Sequence, residues 1–300
     1  MIKTPARDNG RIRHLGLAGL VLCLTISSFK TCFAAENEGR AGEPAKTAAY
    51  FIDAGIASGR RGNWDGAIEN LKKAAEISPR RSEIYVDLSI AYAEKKSFED
   101  SVVYAKKAIQ VDPKSSGGYV ALGYAYQGHG DDAEAITAFK QGVLADPSNG
   151  DAALALGNLY TQKRQLDNAI AAYESAIKAN PKEVFAYCNL AYIYETRLEH
   201  AKAKEYLQSA AKIDPQDPIV WYDLGEIYGK EGNYNKSLEY YEKSYSLDPK
   251  FYKACMSLAM MYEKKRNLEK SAEYYVKSLS LTDDPKLKDA IMRQISKANE

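Results

Sequence analysis

Catalysis and metal binding both need polar groups that converge, and side chains suited to either are sparse in this sequence. Of its 300 residues, three are histidine and four are cysteine. Beyond residue 34 only His129, His200, Cys188 and Cys255 remain. His129 lies in Gly128-His129-Gly130-Asp131-Asp132, a turn-forming run in which an imidazole is solvated rather than ligating. The paired glycines Gly117-Gly118 lack the Lys-Ser/Thr that a phosphate-cradling loop carries. We therefore expect no catalytic residue, no metal and no cofactor, and a chain that is not an enzyme.

Composition and charge narrow the classes further. Hydrophobic residues make up 45% and charged residues 27%, which is too apolar for a disordered chain and enough for a packed core. Formal net charge is +1, from 41 basic and 40 acidic residues. Residues 1–34 hold five of the bases (Lys3, Arg7, Arg11, Arg13, Lys30) and one acid (Asp8), leaving 36 basic against 39 acidic residues, near −3, for the remainder. No broad basic field attracts nucleic acid or anionic lipid, so neither is expected as a partner.

Residues 1–14 are polar and basic, and residues 15–29 (LGLAGLVLCLTISSF) are mainly apolar and uncharged. Small residues then arrive at Cys32-Phe33-Ala34-Ala35. This is the layout of a secretory signal peptide over residues 1–34, with cleavage after Ala34. The apolar stretch of about 15 residues falls short of the roughly 20 that a membrane-spanning helix needs. An anchor through residues 15–29 is the alternative. The expected location is periplasmic or secreted, with no membrane insertion once the signal is removed. Residues 35–47 read as a flexible leader, because AENEGRAGEPAK offers no large apolar side chain.

The rest of the chain repeats. Proline recurs at Pro79, Pro113, Pro147, Pro181, Pro215 and Pro249, always at an interval of 34 residues. Tyrosine keeps the same step at Tyr92, Tyr126, Tyr160, Tyr194, Tyr228 and Tyr262, which accounts for part of an excess of 23 Tyr over 7 Phe. Within a unit, Trp221, Leu224, Gly225 and Tyr228 fall at i, i+3, i+4 and i+7, one face of an α-helix. After the turn Gly229-Lys230-Glu231-Gly232-Asn233, residues Ser237, Leu238, Tyr241, Ser244 and Tyr245 mark a second helical face, which Pro249 ends. Each unit is thus two helices.

The pattern aromatic-x-x-Leu-Gly-x-x-Tyr, then Ala-x-x-x-aromatic and a closing Pro, resembles the tetratricopeptide repeat. It is carried most fully by Tyr119-Leu122-Gly123-Tyr126 with Ala135-Phe139-Gly142-Pro147, and by Trp221-Leu224-Gly225-Tyr228 with Ser237-Tyr241-Ser244-Pro249. Seven units follow without insertion: 48–81, 82–115, 116–149, 150–183, 184–217, 218–251 and 252–285. Departures collect at the ends, where Ala54 and Ser58 replace Leu and Tyr and the last proline slips to Pro285. Residues 286–300 form a cap helix and tail, with Leu287, Ile291 and Ile295 spaced i, i+4, i+8. The resemblance implies an all-α fold, a right-handed α-solenoid of seven helix-turn-helix repeats with a C-terminal capping helix. Cys188 and Cys255 then stand two units apart, beyond the ~7 Å Cα separation a disulfide allows.

The resemblance also implies that first helices line a concave groove that holds the ligand, facing it with unit positions 2, 5, 9, 12 and 13. Position 5 reads Ile52, Val86, Val120, Leu154, Cys188, Tyr222 and Met256; position 9 reads Ile56, Ile90, Tyr124, Asn158, Tyr192, Glu226 and Met260. An apolar series on an open face marks an interaction site, although packing against the next unit explains position 5 equally well. At position 9, Asn158 and Glu226 interrupt the series where buried packing resists unpaired polar groups. The candidate partner-binding residues are therefore Ile90, Tyr124, Asn158, Tyr192, Tyr222, Glu226, Met256 and Met260. Position 5 carries no Lys or Arg, so no clamp for a terminal carboxylate is expected. The sequence reads as an adaptor or assembly factor for a protein or peptide partner, with a self-associating homo-oligomeric envelope scaffold as the alternative.

Overall fold

A computed structural model of the chain describes residues 47–298. The expected signal peptide, its cleavage site and residues 35–46 of the leader lie outside the described residues. Among the described residues there are fifteen helices and no strand. The first helices of the successive pairs are α1 (Ala48–Arg60), α3 (Ser82–Glu94), α5 (Ser116–His129), α7 (Gly150–Gln162), α9 (Val184–Thr196), α11 (Pro218–Lys230) and α13 (Tyr252–Lys264). Their second helices are α2 (Trp64–Ile77), α4 (Phe98–Val111), α6 (Asp132–Ala145), α8 (Leu166–Ala179), α10 (His200–Ile213), α12 (Tyr234–Leu247) and α14 (Leu268–Ser280). The final helix, α15, spans Pro285–Ala298.

Local chemistry fixes these boundaries. Thr47 caps α1 by accepting from the Tyr50 amide, and Asn63, Ser115, Asn149, Asp217, Asn233 and Asn267 cap later helices in the same way. Every turn between the helices of a pair closes alike. The residue at unit position 15 adopts positive φ, from 58° at Arg164 to 101° at Gly130, in all seven turns. The next amide then reaches back to the carbonyl of position 11, as Ser97 does to Tyr92 and Asn233 to Tyr228, both at 2.9 Å. This Schellman closure satisfies a carbonyl that the helix end would otherwise orphan. Glycine supplies the left-handed residue only at Gly62, Gly130 and Gly232; Lys96, Arg164, Leu198 and Arg266 adopt it against their Cβ sterics.

Pairing of the two helices rests on size matching. A Cβ placed on Gly123 would stand 2.4 Å from the Phe139 ring, and one on Gly157 or Gly225 would stand 2.6 Å from the Tyr173 or Tyr241 ring. Glycine at that position is what lets an aromatic side chain of the second helix lie across the first. Further along the same hairpins, Tyr92 stacks on Tyr104, Tyr194 on Tyr206, Tyr228 on Tyr240 and Tyr262 on Tyr274, with ring centroids 5.2–5.6 Å apart. Much of the tyrosine excess therefore has a packing cause.

The chain divides within α9 into two compact units, one ending at Ala186 and one beginning at Tyr187. In the first, α1 to α8 pack in sequence, and the first helices α3, α5 and α7 also meet their neighbours. One core cluster of this unit includes Leu71, Ile84, Tyr85, Leu88 and Ile90. In the second, α10 to α15 pack in sequence around Tyr222, Tyr241, Leu258, Met261 and Tyr262. There α15 sets Ile291 against Ala259 and Tyr275. Each unit is a run of stacked helical hairpins, the α-solenoid class of all-α folds.

Candidate partner-binding site

The eight candidate residues divide by burial, and each unit supplies its own set. In the first unit Ile90 is only 4% exposed and belongs to the core cluster, while Tyr124 is half-buried on α5. The Tyr124 ring meets Phe139 edge-on at 5.2 Å. Its phenol is held well above the usual range, first by burial and then by the nearby Asp151 carboxylate. Asn158 is 5% exposed. The Tyr173 hydroxyl, reaching across from α8, donates to its Oδ1 at 2.8 Å and lies 3.1 Å from the Thr161 hydroxyl.

In the second unit Tyr222 is buried, packed between Tyr241 and Phe251 at 5.6 and 5.2 Å. Tyr192, Glu226 and Met256 are half-buried, and Met260 is 42% exposed. The Tyr241 hydroxyl donates to Glu226 Oε1 at 2.6 Å. Met256 rests against the cluster formed by Ala259, Tyr275 and Ile291, with the Ser278 hydroxyl 3.1 Å from its sulfur.

Three positions therefore differ from the sequence expectation of an open face. Ile90 and Tyr222 are buried because their side chains reach the interior of the hairpin stack, where transfer from water stabilises them. Asn158 is buried because a tyrosine from the paired helix satisfies its amide, so a polar residue at position 9 does not itself signal solvent. Position 5 follows the packing alternative over most of its length: Val86, Val120, Leu154, Cys188 and Tyr222 are all buried. Cys188, expected on the groove side, is only 5% exposed. Tyr124, Tyr192, Glu226, Met256 and Met260 keep surface for a partner.

Sequence reasoning passed over the carboxylates of the first unit. Asp87 of α3 lines a depression together with Gly55, Ile56 and Gly59 of α1, Trp64, Ala67 and Leu71 of α2, and Ile90 and Ala91 of α3. The depression is shallow, with a cavity volume of about 20 Å³, and opens to solvent. Burial, reinforced by Glu83 and opposed by Arg81, pushes the Asp87 carboxyl from its ordinary 3.8 to about 7. Burial likewise raises Asp151, and it raises Glu183, to which Asp151 adds. A usable signal existed at unit position 6, where Asp53, Asp87 and Asp223 recur.

Among the remaining chemistry-bearing groups, the buried Nδ1 of His200 has no hydrogen-bond partner among the described residues. His129 Nδ1 lies 2.9 Å from Asp131 Oδ2 within its turn. Among the described residues neither Cys188 nor Cys255 is in a disulfide, and both are buried. Burial pushes the Cys255 thiol up to about 11, and it donates to the Tyr274 carbonyl at 3.3 Å. Among the described residues no group of three or more His, Cys, Asp or Glu side chains is placed to hold a metal ion, and no helix is long and apolar enough to cross a membrane.

Comparison with solved structures gives similarity to PilF of Pseudomonas aeruginosa, with a TM-score of 0.60 and 17% identity over 71% of this chain and 97% of that one. The C-terminal part of a TPR repeat-containing protein from Cytophaga hutchinsonii matches at a TM-score of 0.60 and 17% identity, over 79% of this chain and 98% of that one. A tetratricopeptide repeat protein from Parabacteroides merdae matches at 0.53 and 15%, over 85% and 100%. At such identities the likeness concerns the fold. Comparison with the curated proteins found no significant match. Four family models, each described as tetratricopeptide repeat, match residues 82–115, 120–184 with 154–218, 218–251 and 254–289. Two of those spans, 82–115 and 218–251, coincide with units read from the proline and tyrosine phase. With matches running from residue 82 to residue 289 and helices keeping one 34-residue phase throughout, the chain belongs to the tetratricopeptide repeat family.

Proposed function

We propose that the chain is an adaptor or assembly factor that holds a segment of a partner polypeptide against the solvent-facing positions of its first helices. Tetratricopeptide repeat proteins generally mediate protein–protein interaction and are generally non-catalytic. The observation that carries the reading is the retention of aromatic and thioether surface at Tyr124, Tyr192, Met256 and Met260, on helices whose neighbouring positions are packed. Tyrosine presents a rigid amphipathic plate and methionine repacks around varied shapes, both suited to gripping an apolar side chain. Replacing Tyr124 and Tyr192 together by alanine should abolish capture of the partner while helix content stays unchanged. Undiminished capture would remove these positions from the site.

The same proposal places the adaptor in the periplasm or outside the cell, on the strength of the basic, apolar and small-residue succession over residues 1–34. N-terminal sequencing of the exported protein should read Ala35 first. A chain beginning at Met1 would favour an anchor through residues 15–29. A second reading, a self-associating scaffold, draws on Val276 of α14 and Met292 of α15, each 54% exposed. Light scattering decides it, since a mass independent of concentration and equal to one chain removes the scaffold.

A further inference from the structure

We infer that the C-terminal end of the second unit is a docking seat, between α14 and α15, for an amphipathic helix with acidic flanks supplied by a partner polypeptide. The inference stands apart from the first-helix positions proposed above, and it begins with register. Ile291, the seventh residue of α15, is buried in one cluster with Tyr275 of α14, just as Leu258, the seventh residue of α13, is buried in one cluster with Tyr241 of α12. The last helix is therefore built as the first helix of a further pair. Among the described residues no helix follows it.

In complete pairs the second helix covers two stations of the first. From α3 to α13 the eighth residue is small and the eleventh is a tyrosine. Gly225, an eighth residue, lies under the Tyr241 ring, while Tyr228 and Tyr262, both eleventh residues, stack on Tyr240 and Tyr274 of their second helices. In α13 these stations, Ala259 and Tyr262, are 0% and 6% exposed. Their counterparts in α15 are Met292, 54% exposed, and Ile295, half-buried. The preceding second helix forms the other wall: Tyr245 of α12 meets Tyr274 of α14 edge-on at 5.5 Å. The residue 34 positions on is Leu279 of α14, which has no following second helix to meet among the described residues.

Residue type argues that this seat is covered rather than wet, because a terminal repeat facing water needs a polar outer surface. At the station of Val276 the six earlier second helices carry Lys72, Lys106, Lys140, Glu174, Gln208 and Glu242. Lys72 lies over the ring of Tyr92, and Glu242 accepts from the Tyr262 hydroxyl at 2.6 Å, each tyrosine being the eleventh residue of the next first helix. In α14 that station is Val276, 54% exposed, and the eleventh residue of the next helix is Ile295. Val276, Leu279, Met292 and Ile295 thus give an apolar strip at the place where every complete pair seats a helix, so a helix with an apolar face is the guest that fits. Its flanks follow from charge. Residues 285–296 hold three bases (Lys286, Lys288, Arg293) against one acid (Asp289); Lys288 lies 3.7 Å from Asp283, and Lys286 and Arg293 are exposed. Complementarity therefore selects acidic side chains beside the apolar face.

The probes are capped, fluorescein-labelled peptides of fourteen residues, the length of α12, titrated into the full chain and followed by fluorescence anisotropy. One sets leucine along a single helical face with glutamate elsewhere, a second replaces the glutamate by lysine, and a third scrambles the first so that no apolar face forms. The glutamate peptide should bind roughly tenfold more tightly than either of the others. Val276→Lys with Met292→Gln, both at exposed positions and checked for unchanged helix content, should remove that advantage, whereas Tyr124→Ala with Tyr192→Ala should leave it in place. Equal binding of the ordered and scrambled peptides, or an advantage that survives Val276→Lys with Met292→Gln, overturns the seat. A lysine peptide that binds as well as the glutamate peptide overturns the acidic flanks. Loss of binding in Tyr124→Ala with Tyr192→Ala moves the peptide to the first-helix positions and overturns the seat while supporting the adaptor site. A dimer in light scattering that Val276→Lys with Met292→Gln returns to one chain gives the seat to a second copy, which overturns the partner helix in favour of the scaffold.

Discussion

The two compact units solve the same packing problem with different chemistry. In the first, phenols that reach the interior donate to neutral acceptors: Tyr85 to the Pro79 carbonyl at 3.0 Å, and Tyr173 to the Asn158 amide at 2.8 Å. In the second they donate to carboxylates: Tyr241 to Glu226, Tyr262 to Glu242 and Tyr275 to Glu263, at 2.6–2.7 Å. Charge-assisted bonds of this kind are short and roughly twice as strong as neutral ones. The second unit thus consumes those carboxylates in holding itself together. The first instead leaves the Asp87 carboxyl of α3 half-buried, with burial raising its proton affinity.

Four experiments break or sharpen that contrast, each read through Trp64 for the first unit and Trp221 for the second. The largest effect belongs to Phe139, which is fully buried against Gly123. Phe139→Ala should cost about 3–5 kcal/mol in the first unit, felt far less at Trp221 because repeats depend on near neighbours. Loss of both signals in one step would show that the units are a single cooperative block.

Next comes Tyr241→Phe, which takes a donated hydroxyl away from a half-buried carboxylate and should destabilise the second unit by about 1.5–3 kcal/mol. Its pH dependence is diagnostic. Burial first, then Glu226, raises the Tyr241 phenol above its ordinary 10.0. The folded state therefore keeps that proton more tightly than the unfolded chain does, and stability falls as pH climbs past about 10. Trp221 should report unfolding at lower alkaline pH than Trp64, and Tyr241→Phe should narrow the gap.

Asp87 gives the acidic counterpart in the first unit. Its folded carboxyl titrates near 7 against an ordinary 3.8, so its own contribution to the unit's stability is fully present below about pH 4 and is lost as pH rises through about 7. Asp87→Asn should remove that slope and stabilise the first unit by about 1–3 kcal/mol at pH 8. Unchanged denaturation midpoints at pH 8 would mean the carboxylate is already compensated. The smallest effect is conformational. Leu198 is 77% exposed and holds a φ of 62°, so Leu198→Gly should stabilise the second unit by about 1 kcal/mol in urea titrations.

Particular residues show how far the sequence could be read. The proline and tyrosine phase placed every helix pair, because a step of 34 residues leaves room for two helices and their turns, and proline stops the second. The turn at Gly232 was visible as a glycine, but its equivalents at Lys96, Arg164, Leu198 and Arg266 were not, since those residue types carry no signal for positive φ. The candidate site was legible as a set of helix faces and no further. Asn158 and Glu226 share unit position 9, yet Asn158 is buried and Glu226 half-buried.

The sequence by itself determined helix pairing, the repeat phase and the family. These follow from periodicity and side-chain size, which are properties of a local segment. Only the tertiary structure decided depth: which tyrosine hydroxyl reaches which carboxylate, that Ile90 and Tyr222 turn inward, and that Asp87 lines a shallow depression. Periodicity fixes the direction of a side chain about its own helix. Its distance from water depends on how far neighbouring helices approach, and that is set by residues tens of positions away.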